Sequence, residues 1–214
     1  MTEQNFDQMR RAMVVSQLRT TGVSDARVVS AMGDLPRERF VPADKARIAY
    51  ADVALPIGKG RALNPPMVTG RLLTEAQVIP GDRALVIGAA MGYTAALLAK
   101  LGATVVAVEE DEGFLAAGKG LVPAATWVKG ALAAGSKKGA PYTLIVLDGA
   151  VEEIPQALID QLAEGGRLVG AVIEDGVSRL VSGVRAGRGF GTKAFADADT
   201  APLPGFAKAA AFSF

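Results

Sequence analysis

The chain has 214 residues, half of them hydrophobic, and a formal net charge of +1. This size predicts one domain with one sizeable core, made of a helical and loop-rich region over residues 1–80 and an α/β core over residues 81–214. The near-neutral charge disfavours electrostatic binding of nucleic acid or of an anionic membrane surface. Cysteine and histidine are both absent, which excludes disulfides, thiolate zinc sites, thiol nucleophiles and imidazole acid–base catalysis. No metal site is predicted.

The apolar runs of the chain are short. Leu144–Leu147 and Leu168–Ile173 are among the longest, and a bilayer span needs about 20 apolar residues. The first residues, Met1–Arg11, are polar and lack the apolar centre of a secretory signal. We therefore expect no membrane span and a cytoplasmic location.

Two helices and a long loop are predicted at the start of the chain. Apolar residues recur at spacings of three and four from Phe6 to Leu18, which indicates an amphipathic helix. Ser24 is the candidate N-cap of a second helix that ends before Pro36. Prolines and glycines are dense between Val41 and Pro66, which indicates an ordered but irregular loop of a kind that is often functional.

The next segments predict a mostly parallel sheet with helices on both faces. A helix is expected from Pro66 to Gln77, with Asn64 as its candidate N-cap. Short apolar runs then alternate with helical segments, as in α/β proteins. Strands are predicted at Ala84–Ile87, Thr104–Val108, Thr126–Val128, Leu144–Leu147 and Arg167–Val172.

The last third of the chain is predicted to finish the sheet. A helix is expected over Pro155–Ala163, closed by Gly165 and Gly166. Val177–Val184 and Ala209–Phe214 are the candidate antiparallel strands at the sheet edge. The segment Gly183–Thr200, rich in small residues and Asp, is expected to be a surface excursion.

The turn after the first strand is the most informative segment. A run of small residues connects the strand to a helix over residues 94–101, an arrangement that brings backbone N–H groups to a ligand at the carboxyl edge of a sheet. The next strand ends at Glu109, about twenty residues after the first glycine, where an acid bonds ribose hydroxyls. The candidate cofactor residues here are Gly88, Ala89, Ala90, Gly92, Glu109 and Glu110. Together these features indicate a nucleoside ligand.

A plainer interpretation of the same turn stays open. Gly88 and Gly92 could serve only to pack strand and helix tightly, and Glu109 could be a solvated loop carboxylate. The spacing Gly88-x-x-x-Gly92 departs from Gly-x-Gly-x-x-Gly, which disfavours a nicotinamide-dependent oxidoreductase.

Ordered motifs along nearly the whole chain carry a resemblance to a known family. They read PRERFVP at 36–42, AYAD at 49–52, LPIG at 55–58 and GGRLV at 165–169, with the glycine turn and Glu109 between them. This order resembles the protein-L-isoaspartate O-methyltransferases. The resemblance implies a Rossmann-like class I methyltransferase fold with a helical N-terminal extension and antiparallel C-terminal strands. It also implies the cofactor S-adenosylmethionine, with S-adenosylhomocysteine as product, and an isoaspartyl carboxylate of a damaged protein or peptide as acceptor.

That chemistry suits a chain without histidine or cysteine. A carboxylate with a reference pKa of about 4 is already ionised at neutral pH, so no general base is needed. Because the sulfonium activates the methyl group, the enzyme has only to align donor and acceptor and to exclude water. The resemblance places the methyl-transfer site at Leu63, Asn64 and Pro65, under a loop from Asp52 to Pro66 that closes over the cofactor.

Four departures from the family pattern affect five residues. Val86 and Ala90 stand where an acidic residue and a turn glycine are usual, and Asn64 stands where a hydroxyl residue is usual. Ala131 and Leu132 replace the Asp-Gly of an adenine-side motif. The amide of Asn64 could bind the acceptor carboxylate or merely cap the next helix, and both roles stay open.

These departures keep three functions in view. The first is an active isoaspartyl methyltransferase, and the second is a catalytically degenerate member that acts as a binding module. The third is a methyltransferase with a changed acceptor. Fold alone does not choose among them, and the sequence predicts no oligomeric state.

Overall fold

The computed structural model describes residues 5–208, and within them the chain forms six α-helices and nine strands. The helices are α1 (Phe6–Met13), α2 (Ala26–Asp34), α3 (Pro66–Ala76), α4 (Tyr93–Lys100), α5 (Glu112–Leu121) and α6 (Gln156–Ile159). The strands are β1 (Leu55–Gly58), β2 (Arg61–Leu63), β3 (Arg83–Ile87), β4 (Thr104–Glu109), β5 (Thr126–Lys129), β6 (Tyr142–Val151), β7 (Leu162–Glu174), β8 (Val177–Ala186) and β9 (Gly189–Asp197). A π-helical turn, Val14–Leu18, continues α1. The helix expected over Phe6 to Leu18 is thereby confirmed.

Seven strands form the central sheet in the order β5-β4-β3-β6-β7-β8-β9. The pairs from β5 to β7 are parallel, and β8 and β9 continue the sheet antiparallel. The strands β1 and β2 form a separate hairpin within the long loop. Chain order reverses between β3 and β6, and ligands of such sheets bind in the crevice outside the carboxyl ends of the strands at this switch point.

Each face of the sheet has its own core because strand side chains alternate. Ala84 and Val86 of β3 pack with the helices α1 to α4 on one face. Leu85 and Ile87 point to the other face, where they join residues of α6 and of the segment 203–206. The predicted α/β arrangement, with helices on both faces, is confirmed.

The helix predicted over Pro155–Ala163 is wrong in its second half. Helix α6 ends at Ile159, and β7 already begins at Leu162, which pairs with Tyr142 of β6. The amide of Tyr142 donates to the Gln161 carbonyl at 2.7 Å, so the chain enters the sheet where the apolar spacing suggested a further helical turn. The glycines expected to close the helix lie inside β7.

Two further expectations near element ends need correction. The N-cap of α2 is Asp25, whose side chain accepts from the amide of Arg27 at 2.8 Å, and not Ser24; Asp and Ser rank equally as caps, so the sequence could not separate them. Most of Gly183–Thr200 lies in the sheet and not in a surface excursion, because it contains the end of β8 and all of β9. Strand β9 pairs with β8 through its backbone at an exposed edge, where few apolar side chains are needed. The strand predicted at Ala209–Phe214 lies outside the described residues.

Within residues 5–208, no helix is both long and apolar enough to cross a membrane.

Candidate cofactor and acceptor site

The turn after β3 has a left-handed backbone at three positions. Gly88 and Gly92 have φ of 74° and 96°, and Ala90 has φ of 47°. Glycine adopts such angles freely, whereas a residue with a Cβ atom is strained by about 1–2 kcal/mol. The alanine that replaces the usual turn glycine therefore retains the turn at a cost in stability.

The amides of this turn are bonded within the chain. Gly88 and Ala89 both donate to the carbonyl of Val108, at 3.1 and 3.2 Å. The amide of Gly92 donates to the Ala89 carbonyl at 2.8 Å, and the amide of Ala90 donates to Oε2 of Glu109 at 2.7 Å. The turn thus joins β3 to the end of β4 and positions the Glu109 carboxylate.

The Glu109 carboxylate is fully buried and densely bonded. Nη1 of Arg61 donates to both of its oxygens, at 3.1 and 3.2 Å. The amides of Glu110 and Asp111 donate to Oε1 at 2.9 and 3.1 Å. Because Glu109 is 0% exposed, the interpretation of it as a solvated loop carboxylate is wrong. The side chain of its neighbour Glu110 is exposed.

Arg61 brings the long loop onto the cofactor turn. It begins β2, is 5% exposed, and its Nη2 donates to the Gly88 carbonyl at 2.7 Å. The loop from Asp52 to Pro66 therefore lies over the carboxyl ends of β3 and β4.

A second side chain, Leu203, fills the crevice between β3 and β6. A Cβ atom built on Gly88 would lie 2.7 Å from Cδ2 of Leu203 and 2.9 Å from Nη2 of Arg61. A Cβ atom on Gly149 would also lie 2.7 Å from Leu203 Cδ2. The segment that carries Leu203 is bonded to Ala150 of β6, because the Ala150 amide donates to the Ala201 carbonyl and the Leu203 amide donates to the Ala150 carbonyl, at 2.9 and 2.7 Å.

Replacing Gly88 with alanine is expected to destabilise the fold more than replacing Gly81. Both glycines have positive φ, so both variants carry backbone strain. A Cβ atom on Gly81 would meet nothing within 4 Å, whereas one on Gly88 meets the packed side chains described above. Urea denaturation of Gly88→Ala and Gly81→Ala should differ by about 1–3 kcal/mol, the usual cost of overpacking. Equal losses would show that the crevice is not filled in solution.

Asn64 and Asp148 form a buried polar pair beside this crevice. Nδ2 of Asn64 donates to Oδ1 of Asp148 at 2.9 Å, and the two residues are 2% and 8% exposed. Burial raises the pKa of Asp148 to about 6, although the nearby Thr94 hydroxyl, the charges of Arg61 and Arg37 and the hydrogen bond from Asn64 oppose the rise.

The capping role expected as one alternative for Asn64 is wrong. The N-cap of α3 is Pro65, and the helix begins at Pro66 without a hydrogen bond from any capping side chain. The Asn64 amide group points to Asp148 of β6, and Leu63 and Pro65 are buried on either side of it. The three residues expected at the methyl-transfer site thus form one buried wall, and their role there stays a prediction.

Arg37 fixes this wall from behind. It is fully buried, and it donates from Nε to the Ala49 carbonyl at 2.6 Å and from Nη2 to the Asn64 carbonyl at 2.5 Å. Its guanidinium lies 4.8 Å from the ring centroid of Tyr93 in α4, within the range of a cation–π contact. Burial lowers the pKa of Arg37. The PRERFVP motif therefore anchors the loop to the site.

The expected adenine-side residues reach the same edge of the sheet. Ala131 and Leu132 follow β5, and the amide of the preceding Gly130 donates to the Glu109 carbonyl at 3.3 Å. The Leu132 side chain is buried in the second core, whereas Ala131 is exposed. Within residues 5–208, no cluster of acidic side chains suited to a metal ion is found.

The sequence interpretation missed three residues of this site. Asp148 directly follows the predicted strand Leu144–Leu147, so the strand-end rule that selected Glu109 would also have found it. Arg61 lies in an irregular loop and Leu203 lies near the end of the chain, and neither carries a local signal of its partner.

Comparison with known proteins decides the family. A family model described as protein-L-isoaspartate(D-aspartate) O-methyltransferase matches residues 9–190. The chain belongs to this family. It is 42% identical over 171 residues to the protein-L-isoaspartate O-methyltransferase of Methanoculleus marisnigri, covering 76% of each chain. It is 38% identical to that of Methylorubrum populi, covering 85% of this chain and 87% of that protein.

A solved structure agrees on the fold. It is a protein-L-isoaspartate O-methyltransferase from Plasmodium falciparum in complex with S-adenosyl-L-homocysteine, which superposes with a TM-score of 0.78 at 20% identity. The alignment covers 94% of this chain and 99% of that one. The family, methyltransferase class and fold expected from the sequence are confirmed.

Proposed function

We propose that this chain transfers the methyl group of S-adenosylmethionine to the carboxylate of an isoaspartyl residue in a protein or peptide. The observation that carries the proposal is the family match over residues 9–190. The elements that the family resemblance assigns to cofactor and acceptor, the turn after β3 and the wall around Asn64, meet at one edge of the sheet. That common location supports a single reaction site.

The chemistry asks little of the side chains. Bound S-adenosylmethionine supplies an activated methyl group, and the acceptor carboxylate is ionised at neutral pH. In this proposal Glu109 holds the ribose hydroxyls, the backbone from Gly88 to Gly92 lies beside the methionine end, and Asn64 orients the acceptor. The buried wall and the loop above it exclude water.

The test is methyl transfer from S-adenosylmethionine carrying a labelled methyl group. A peptide with one isoaspartyl residue is compared with the same peptide containing ordinary aspartate. We expect base-labile methyl ester to form only on the isoaspartyl peptide, because only that linkage presents the displaced carboxylate. No ester on either peptide, from a folded protein at millimolar cofactor, would contradict the proposal.

A specific observation favours a second function, that of a catalytically degenerate member that serves as a binding module. Arg61 and Leu203 lie in the crevice where a nucleoside would bind, and Arg61 is paired with the ribose-binding candidate. In this alternative the crevice stays closed, and the protein neither binds S-adenosylhomocysteine nor methylates the peptide.

A further inference from the structure

The Glu109 carboxylate has no free capacity for a ligand while Arg61 is bound to it. It accepts five hydrogen bonds, two of them from Nη1 of Arg61 and three from backbone amides. An ionised carboxylate offers about four lone-pair sites. Ribose hydroxyls could therefore bind Glu109 only in exchange for the two bonds from Arg61, since the three amides are fixed by the turn and by the strand end.

The crevice itself is occupied from the opposite side. Leu203 lies against Gly88 at the end of β3 and against Gly149 in β6, the two strands that flank the switch point. It is 6% exposed. Two hydrogen bonds to Ala150 hold its segment on the strand, so the leucine is fixed by local pairing as well as by apolar contact.

We propose that Arg61 and Leu203 form a crevice plug that sets the cofactor affinity of this chain. Both side chains leave when the cofactor binds. Arg61 then releases Glu109 to the ribose, and Leu203 leaves the space beside Gly88. The plug rests on the proposed function, because it assumes that the ligand of the crevice is S-adenosylmethionine or its product. Its effect is to make the cofactor compete with an ion pair and an apolar contact that the chain already has.

Calorimetric titration with S-adenosylhomocysteine tests the plug in the wild type, in Arg61→Ala, in Leu203→Ala and in the double variant. Arg61→Ala should bind roughly tenfold or more tightly than the wild type, since one charged competitor for Glu109 is lost. Leu203→Ala should also bind more tightly, and the double variant more tightly than either. Arg27→Ala is the matched control, because the Arg27 side chain is 52% exposed and pairs with Asp25, the N-cap of α2. This variant should leave the dissociation constant unchanged.

Arg61→Ala leaves the Glu109 charge unpaired and could fail to fold, so thermal melting first identifies the folded variants. A second measurement needs no variant. Hydrogen exchange on the wild type follows the amides of Ala150 and Leu203, which donate to the carbonyls of Ala201 and Ala150. Saturating S-adenosylhomocysteine should make their exchange faster by separating the segment of Leu203 from β6.

The outcomes separate the plug from the proposed function. Equal affinity in the wild type and in all folded variants would overturn the plug while leaving the methyltransferase intact. Weaker binding by Arg61→Ala would overturn it as well, because Arg61 would then be a cofactor ligand. No binding by any folded variant at millimolar ligand would overturn the plug together with the proposed function.

Discussion

Replacing Glu109 with alanine is expected to lower the free energy of unfolding by about 3–5 kcal/mol, the cost of breaking a buried ion pair by removing one partner. The substitution leaves Arg61, which is 5% exposed, with a buried charge and no carboxylate. It also removes the acceptor for the amides of Ala90, Glu110 and Asp111. Urea denaturation with a linear extrapolation measures the loss.

A double-mutant cycle assigns this loss to the pair. Arg61→Met combined with Glu109→Met removes both charges, so the double variant should lose clearly less than the sum of the single variants. The control is Glu174→Ala, which breaks the pair with Arg179 at 2.7 Å, where the side chains are 35% and 57% exposed. An exposed pair contributes about 0–1 kcal/mol. Additive losses at Glu109 and Arg61 would contradict a direct buried pair.

Replacing Asp148 with asparagine is expected to stabilise the protein at neutral pH and to change it little at acidic pH. Burial raises the pKa of Asp148 from 3.8 to about 6 in the folded state. The stabilising contribution of the protonated group is therefore complete below pH 3.8 and is lost as the pH rises through about 6. Above that pH the ionised carboxylate destabilises the fold by roughly 3 kcal/mol. Asparagine carries no charge and still accepts the hydrogen bond from Asn64.

The difference in unfolding free energy between Asp148→Asn and wild type measures this effect, because other titrations cancel in it. Between pH 4 and pH 7.5, the unfolding free energy of Asp148→Asn relative to that of the wild type should rise by up to roughly 3 kcal/mol. Asp197→Asn is the control, since the Asp197 side chain is 76% exposed and its pair with Arg179, like other exposed pairs, contributes only about 0–1 kcal/mol. A difference that does not change with pH would show that burial does not raise the pKa of the Asp148 carboxyl.

Asp148 and Asn64 also affect how the acceptor carboxylate would bind. An ionised Asp148 beside Asn64 would repel an incoming carboxylate, whereas a protonated one could donate a hydrogen bond to it. The isoaspartyl reaction measured against pH in the wild type and in Asp148→Asn would show which state the site uses. The stability experiment above supplies the pKa for that comparison.

The sequence by itself determined the elements that depend on local periodicity and on ordered motifs. The strands from Ala84 to Val172 were predicted because buried parallel strands are short apolar runs. The turn of Gly88 and the acid at Glu109 were found because they sit at fixed distances from a strand end. The family followed from motifs such as PRERFVP, whose order is a property of the chain alone.

Only the tertiary structure decided what these residues touch. Arg61 and Glu109 are 48 residues apart, and Asn64 and Asp148 are 84 apart, so no local pattern joins them. The Asn64 amide could cap α3 or form a hydrogen bond to β6, and it bonds to β6 because the buried Asp148 carboxyl lies beside it. Leu203 reaches the switch point because its segment pairs with Ala150. Such contacts form between elements that the chain folds together, and a contact between distant elements has no spacing in the sequence to mark it.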